Sequence, residues 1–328
     1  MQLSIVVPVY RSAGCLPELA RRIALDVGRE FDSYELVLVN DCSPDDSWQV
    51  ITDLAGQYGF VVGVNLRKNV GQDNAIMAGL RHSRGDVVVI MDDDLQHDPT
   101  DIARLYREIQ RGFDVAYAHF EQKQQAFWKN AGSWFADRVA VALLGKPPSI
   151  YMSPFKAIRR EVVDEIVKYD GPFSYVDGII FTVTSRLTQI PALHRTRFAG
   201  KSNYNLARSL GVWLKLATSF SVIPLRIASV AGGIIALLSF VLGFAFLVQA
   251  LFFGRPVEGW PSLMVTLTFL GGIQLIGIGA VGEYIGRIFM TLNRHPQFTV
   301  KEVCRAGEAI SGSARQDAAS ADLGQKAI

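Results

Sequence analysis

The chain is short of charge. Only 20% of its 328 residues are Asp, Glu, Lys or Arg, below the roughly 25% usual in soluble proteins. It also lacks a dominant sign: 33 basic residues nearly cancel 31 acidic ones, leaving +2. That balance argues against bulk nucleic-acid binding, which needs a basic face. Cysteine is scarce. Cys15, Cys42 and Cys304 stand far apart, with neither metal-ligand spacing nor a disulfide framework, as expected in a reducing compartment. Two phosphate-binding signatures are missing too. No Gly-x-Gly-x-x-Gly follows the first apolar run, and Gln72–Gly79 lacks the Gly-Lys-Ser/Thr ending of a nucleotide-hydrolysing loop, which disfavours dinucleotide binding and ATP hydrolysis. Apolar side chains are plentiful at 49%, enough to exclude disorder over most of the chain.

The charge deficit is local. No charged residue occurs between Arg226 and Arg255, nor between Glu258 and Glu283. Each run exceeds the ~20 residues a helix needs to cross a bilayer. Glycines such as Gly232, Gly233, Gly271 and Gly272 suit close helix packing in lipid. A buried hairpin in a large soluble core is the alternative, and two adjacent uncharged runs of this length are rare there. The short link Gly254–Trp260, with Pro256, makes the spans (about 227–253 and 261–284) a hairpin with both outer ends on one side. Arg208, Lys215 and Arg226 precede it, Arg287, Arg294, Lys301 and Arg305 follow it, and the link holds only Arg255. The positive-inside bias then places the N-terminal region and both termini in the cytoplasm. No secretory leader is expected, because the apolar start Leu3–Val9 is short and runs into a turn.

Before the hairpin, strands alternate with helices. Leu3–Val9, Glu35–Val39, Val61–Leu66, Asp86–Met91 and Asp114–Ala118 read as strands. Cys15–Val27, Asp46–Tyr58, Gly71–His82 and Pro99–Arg111 read as helices. This predicts an α/β fold with a doubly wound, mostly parallel sheet, whose ligands sit at the carboxyl ends of the strands. After about residue 120 the pattern weakens; Phe127–Leu144 and Tyr204–Phe220 are amphipathic and suit the membrane interface. The predicted organisation is a domain over 1–203, an amphipathic juxtamembrane helix over 204–222, the hairpin over 223–290 and a cytoplasmic tail over 291–328. From Ala306 the tail's Ala, Ser, Gly and Gln content predicts disorder.

The sharpest chemical feature is Asp92-Asp93-Asp94 at a strand end. Alternate carboxylates in extended chain point the same way, so Asp92 and Asp94 can converge on one hard cation completed by water and phosphate oxygens. The alternative is a solvated acidic turn ahead of the helix at Pro99. Asp41, ending a neighbouring strand, suits hydrogen bonds from a base or ribose, or else an Asx turn. Arg67, Lys68 and Asn69 are either a phosphate contact or solvated loop.

Taken together these motifs resemble the polyisoprenyl-phosphate glycosyltransferases of glycosyltransferase family 2, which include dolichol-phosphate mannose synthase and the bacterial undecaprenyl-phosphate sugar transferases. The likeness rests on Ser4-Ile5-Val6-Val7-Pro8-Val9-Tyr10, Val39-Asn40-Asp41-Cys42-Ser43, Asn69-Val70-Gly71 with Ala75 and Gly79, and Met91 through Pro99. It continues with Arg197-Phe198-Ala199-Gly200-Lys201-Ser202-Asn203-Tyr204 and Gly282-Glu283-Tyr284-Ile285-Gly286-Arg287-Ile288. It is greatest to the bacterial undecaprenyl-phosphate group. The resemblance implies a GT-A fold and an inverting transfer from a nucleotide-sugar, with UDP as the expected carrier, to undecaprenyl phosphate at the inner (cytoplasmic) membrane. Pro8 and Tyr10 would flank the base, Asp41 and Asp93 would border the donor, and Arg197 would reach a phosphate. Asp92, Asp94 and Gln96 would hold Mg²⁺ or Mn²⁺, Asp177 would touch the sugar, and Lys123, Lys129, Ser133 and Ser202 would cradle the acceptor phosphate. Phe120 and Glu121 stand where relatives carry Arg, Ile150 where they often carry Asp, and Asn203 where they carry Lys.

Two rival functions share some of these features. A processive polysaccharide synthase would carry Gln-x-x-Arg-Trp before a membrane channel, and no Arg-Trp pair occurs. A non-catalytic membrane assembly module would have little use for the intact acidic triplet. The expected partners are thus the sugar donor, the lipid acceptor and the membrane, with self-association through the small-residue spans compatible with the sequence.

Overall fold

The computed structural model describes residues 1–120, 146–171, 174–192, 223–253, 259–293, 296–305 and 308–312. They fall into two units, Met1–Asn203 with Arg294–Ile328, and Tyr204–Asn293.

The first unit is built on a sheet. Its first stretch alternates β1 (Leu3–Val9), α1 (Leu16–Asp26), β2 (Tyr34–Asn40), α2 (Ser47–Gln57), β3 (Val61–Leu66), α3 (Gln72–His82), β4 (Val87–Ile90), α4 (Thr100–Gln110) and β5 (Val115–Phe120). These strands are continuous runs of Val, Ile and Leu because helices cover both faces of the sheet. Every residue of β1 is buried. β1 lies at the centre, parallel to β2 and to β4, with Val6 opposite both Val37 and Ile90. The α3 helix lies close on it: a Cβ at Gly79 would come within 2.3 Å of Val6 Cγ1. Only glycine permits that approach.

Beyond β5 the chain adds elements that the sequence pattern does not announce. These are β6 (Lys156–Arg159), α5 (Arg160–Ile166), α6 (Val176–Val183) and β7 (Leu187–Ala192). β6 enters antiparallel between β4 and β5, while β7 pairs parallel with β5. β5 therefore does not close the sheet. The C-terminal segment also departs from expectation. Rather than lying apart from the sheet, β8 (Val300–Arg305) pairs antiparallel with β3, and β9 (Glu308–Gly312) pairs with β8. Residues 313–328 of the segment expected to be disordered lie outside the described residues. The order is β7-β5-β6-β4-β1-β2-β3-β8-β9, with parallel pairing at the core and antiparallel additions at both sides.

The second unit holds two long helices, α7 (Ile223–Phe253) and α8 (Trp260–Leu292), which pack on each other. Pro261 sits in the first turn of α8, where its missing N–H costs nothing. Among the described residues Phe269–Leu292 is long and apolar enough to cross a membrane, and Ala228–Leu242 is a shorter apolar stretch. Large apolar side chains such as Phe240, Leu275 and Ile276 are about 70% exposed or more, an arrangement suited to lipid or protein rather than water. The segments expected as amphipathic, Phe127–Leu144 and Tyr204–Phe220, lie outside the described residues.

Candidate active site

Four crossovers leave the carboxyl ends of β1 to β4, and each turns through a left-handed residue: Arg11 (φ 58°), Cys42 (φ 51°), Gly71 (φ 87°) and Leu95 (φ 62°). For three of these the conformation is disfavoured by the side chain. Strain of this kind persists where surrounding contacts over-determine it, and it clusters at functional sites. The contacts are present here. Ser43 Oγ accepts the Arg11 N–H at 2.7 Å, and Ser47 Oγ accepts that of Ser12 at 3.2 Å, tying the turn after β2 to the turn after β1.

Asp41 follows the last residue of β2 and is 3% exposed. Its carboxylate accepts the N–H groups of Val70 at 2.7 Å and Gly71 at 2.9 Å, while Asn69 donates to its carbonyl oxygen at 3.2 Å. Burial pushes the Asp41 carboxyl upward from its ordinary value, and the two backbone donors oppose that shift. Asp41 thus fixes the entry to α3 as well as facing the space above the sheet.

The acidic triplet divides its tasks. Asp92 accepts from Gln72 Nε2 at 2.8 Å, Asp94 accepts from the Gln96 N–H at 3.1 Å, and Asp93 accepts from the Tyr10 N–H at 3.4 Å. Burial raises the Asp93 carboxyl, with bonds from Ser12 and Tyr10 pulling it back. A residue without an assigned role holds the turn from below. His97 is 3% exposed, stacks on Phe155 at 4.9 Å and on Phe120 at 5.5 Å, and accepts the Asp92 N–H on Nδ1 at 3.1 Å. Phe120, unusual against the resembled pattern, is therefore a packing residue under this turn; Ile150 is likewise buried.

Pro8, Tyr10, Asp41 and Asp92–Asp94 come together around one cleft of about 450 Å³, with Val9, Asn69, Gly71 and Gln72 completing the wall. Six sequence-nominated positions thus share one wall. Gln96 contributes its N–H to Asp94. Asp177 stands elsewhere, in the first turn of α6, where its carboxylate pairs with Lys156 Nζ and accepts from Tyr117 Oη at 3.0 Å. Arg197, Lys123, Lys129, Ser133 and Ser202 lie outside the described residues. Among the described residues no three His, Cys, Asp or Glu side chains converge as a cation cage. Two hard carboxylates on a cleft wall instead suit Mg²⁺ or Mn²⁺ that takes its remaining ligands from water and phosphate.

A nucleotide-sized cleft over parallel strand ends, walled by these carboxylates, has a counterpart in known sequences. The family model for glycosyl transferase family 2 matches residues 4–167. The chain belongs to glycosyl transferase family 2. This glycosyltransferase is 34% identical over 313 residues to undecaprenyl-phosphate 4-deoxy-4-formamido-L-arabinose transferase of Klebsiella pneumoniae (strain 342), covering 94% of this chain and 96% of that one. The same-named protein of Enterobacter sp. (strain 638) is 32% identical over 318 residues, covering 96% and 97%. Among solved structures, Mycobacterium tuberculosis glucosyl-3-phosphoglycerate synthase, in complex with Mn²⁺ and uridine-diphosphate-glucose, covers 66% of this chain and 77% of its own. Its TM-score of 0.47 and identity of 16% make that likeness too loose to assign residues. The fold of the glycosyltransferase domain is of the GT-A type.

Proposed function

We propose that this glycosyltransferase moves a sugar from a nucleotide-sugar, with UDP as the carrier, to undecaprenyl phosphate. The reading places it in the inner membrane as a multi-pass protein, with its catalytic domain and both termini in the cytoplasm, serving cell-surface glycan or lipid modification. The observation that carries it is the single cleft bringing Pro8, Tyr10, Asp41 and Asp92–Asp94 together at the strand ends. The relatives, which carry undecaprenyl phosphate in their names over nearly their whole length, support the acceptor class. The apolar stretch Phe269–Leu292 supports membrane attachment.

The chemistry asks for charge management more than for a base. A lipid phosphate is anionic near neutral pH, so one of its oxygens can attack the anomeric carbon directly. The new C–O bond forms as the bond to the diphosphate oxygen breaks, the nucleoside diphosphate leaves with the electron pair, and the anomeric centre inverts. A bound Mg²⁺ or Mn²⁺ would neutralise charge on the departing diphosphate, and Asp92 and Asp94 would hold it, with Gln96 closing the turn. Asp41 would meet the base or ribose between Pro8 and Tyr10. Asp177 is committed to Lys156 and Tyr117, which supports a role in shaping the site over one as proton acceptor. Arg197, Lys123, Lys129, Ser133 and Ser202 would supply cations and donors to the two anionic reactants.

Membranes containing the protein, supplied with each of a panel of radiolabelled nucleotide-sugars, test this directly. Label entering a lipid-phosphate fraction, lost in Asp92→Ala and Asp94→Ala, is expected. Label in long polysaccharide would point to a processive synthase. No transfer and no nucleotide binding would leave a non-catalytic assembly module.

A further inference from the structure

Three amide and carboxylate side chains stand in register across three strands beside the cleft. Asn40 on β2 lies opposite Asn65 on β3, and Asn65 lies opposite Glu302 on β8. Asn65 Nδ2 donates to Glu302 Oε1 at 2.7 Å, and Asn40 Nδ2 donates to Asn65 Oδ1 at 2.8 Å. Asn40 Oδ1, left facing the crossover, accepts the Ser43 N–H at 3.3 Å. Asn40 and Asn65 are 3% and 5% exposed, so an ill-matched group in this row has little water to turn to.

The row has a direction. An amide side chain can present its oxygen or its nitrogen to a given neighbour, whereas an ionised carboxylate can only accept. Glu302 therefore sets the orientation of Asn65, which sets that of Asn40, which decides whether the turn after β2 meets an acceptor or a second donor. That turn carries Asp41, the left-handed Cys42 and Ser43, whose hydroxyl oxygen in turn holds the Arg11 N–H beside Tyr10. Lys301 Nζ lies 3.6 Å from Glu302 Oε1, a contact that leaves the polarity of the row unchanged.

We infer that Glu302, on the strand that follows the two long helices in sequence, is a positioning residue for the nucleotide-binding turn Asp41–Ser43, acting through Asn65 and Asn40. The inference rests on the reading of the cleft as a nucleotide site. It makes donor binding depend on a segment some 260 residues away in the chain, beyond the helices rather than within the βαβ crossovers that build the cleft.

Polarity reversal supplies the test. Glu302→Lys presents only donors, so Asn65 and Asn40 must invert and an amide nitrogen is driven against the Ser43 N–H. Asn40→Asp alone sets carboxylates at both ends of Asn65, which can donate properly to one of them. Combining the two restores a consistent row running the other way: ammonium to Asn65 oxygen, Asn65 nitrogen to the introduced carboxylate, Ser43 N–H to the same carboxylate. UDP affinity of the full-length protein in detergent, measured by calorimetry beside the melting temperature, is expected to fall about tenfold in Glu302→Lys, the size of one lost well-placed contact, and to recover to within about threefold of wild type in the double. Asn40→Asp alone, which still offers the Ser43 N–H an acceptor, is expected to lower the melting temperature with UDP affinity within about threefold of wild type. Should a single variant fold too poorly to assay, the double variant is still expected to fold and bind. Binding in Glu302→Lys equal to wild type, or a double variant that binds no better than Glu302→Lys, overturns the inference while leaving the nucleotide reading intact. Wild-type protein that binds no UDP overturns both.

Discussion

The two ends of the same parallel strands treat carboxylates in opposite ways. At the amino ends, Glu35 is 3% exposed, and one of its oxygens accepts both Ser4 Oγ–H and the Arg84 N–H at 2.6 Å. Gly85 N–H in turn donates to Ser4 Oγ at 2.7 Å, and a Cβ at Gly85 would come within 2.5 Å of the Leu3 and Ser4 backbone. That end is closed: the buried carboxylate staples two segments together. At the carboxyl ends Asp41 and Asp92–Asp94 line an open cleft of about 450 Å³. Outside the cleft wall Asp177 is closed again, by Lys156 and Tyr117. Burial and charge alone thus do not mark function. The distinction lies in whether a carboxylate's partners are internal or its wall faces space.

The sharpest way to break this contrast is to exchange the expected phenotypes. Asp94→Ala is expected to cut lipid-linked sugar transfer about 10³-fold or more, because charge on the leaving diphosphate loses its stabilisation, with the melting temperature little changed. A folded variant with near-normal metal-dependent turnover would refute the open-site assignment. Lys156→Met is expected to act on stability instead. It leaves the part-buried Asp177 with Tyr117 but without its ammonium partner, which costs about 2–4 kcal/mol. Lys156→Met with Asp177→Leu removes both charges and is expected to recover much of that loss in thermal or denaturant unfolding.

Much of this contrast was legible in the sequence, and the illegible part has physical causes. Leu3–Val9 and Val61–Leu66 read as strands at their observed bounds, since a strand buried on both faces is an unbroken apolar run. The cleft followed from topology, because Asp41 and Asp92–Asp94 follow the two strands that flank β1. β6 and β7 leave little trace in the sequence. Lys156 and Arg159 occupy two of the four positions of β6, and Thr188, Gln189 and Pro191 interrupt β7, so neither carries a run or an alternation. β8 was hidden by its place after the long helices, where Val300-Lys301-Glu302-Val303 reads as tail. His97 sat inside the recognised string without a role. Its only sequence signal was a titratable ring three residues past a triplet, and its meaning came from Phe155 and Phe120, distant in sequence.

Smaller effects sharpen the comparison. Glu35→Ala removes the acceptor of the Ser4 hydroxyl and the shorter of two acceptors of the Arg84 N–H, which keeps Ser4 Oγ at 3.2 Å, and is expected to cost about 1–3 kcal/mol. The KM for the sugar donor in the surviving folded protein is expected to stay within about twofold of wild type, because the loss is at the wrong end of the strands for binding. A donor KM raised tenfold with stability unchanged would erase the distinction between the two ends.

The smallest expected effect has the opposite sign. Asp73, in the first turn of α3 next to the cleft residue Gln72, has its carboxyl pushed up to about 6 by burial and by the charge of Asp177, against the opposing pull of Lys156 and the Val176 N–H. A carboxyl raised on folding holds its proton more tightly in the folded state. Its contribution is therefore favourable at low pH and is lost as pH climbs from about 4 to about 6, staying lost above that range. Asp73→Asn keeps an acceptor for Val176 without the charge, so the variant should be more stable than wild type by about 1–2 kcal/mol at pH 8. The gap should narrow through pH 6 to 4 and close below about pH 3.8, where the carboxyl is protonated in the folded and the unfolded chain alike. Melting curves of both proteins across that range decide it: a gap independent of pH, or a destabilised variant at pH 8, would mean that Asp73 belongs with the well-paired carboxylates at the amino ends. A gap that opens with pH would mark the edge beside the cleft as one where an ionised carboxylate is kept against the preference of the fold.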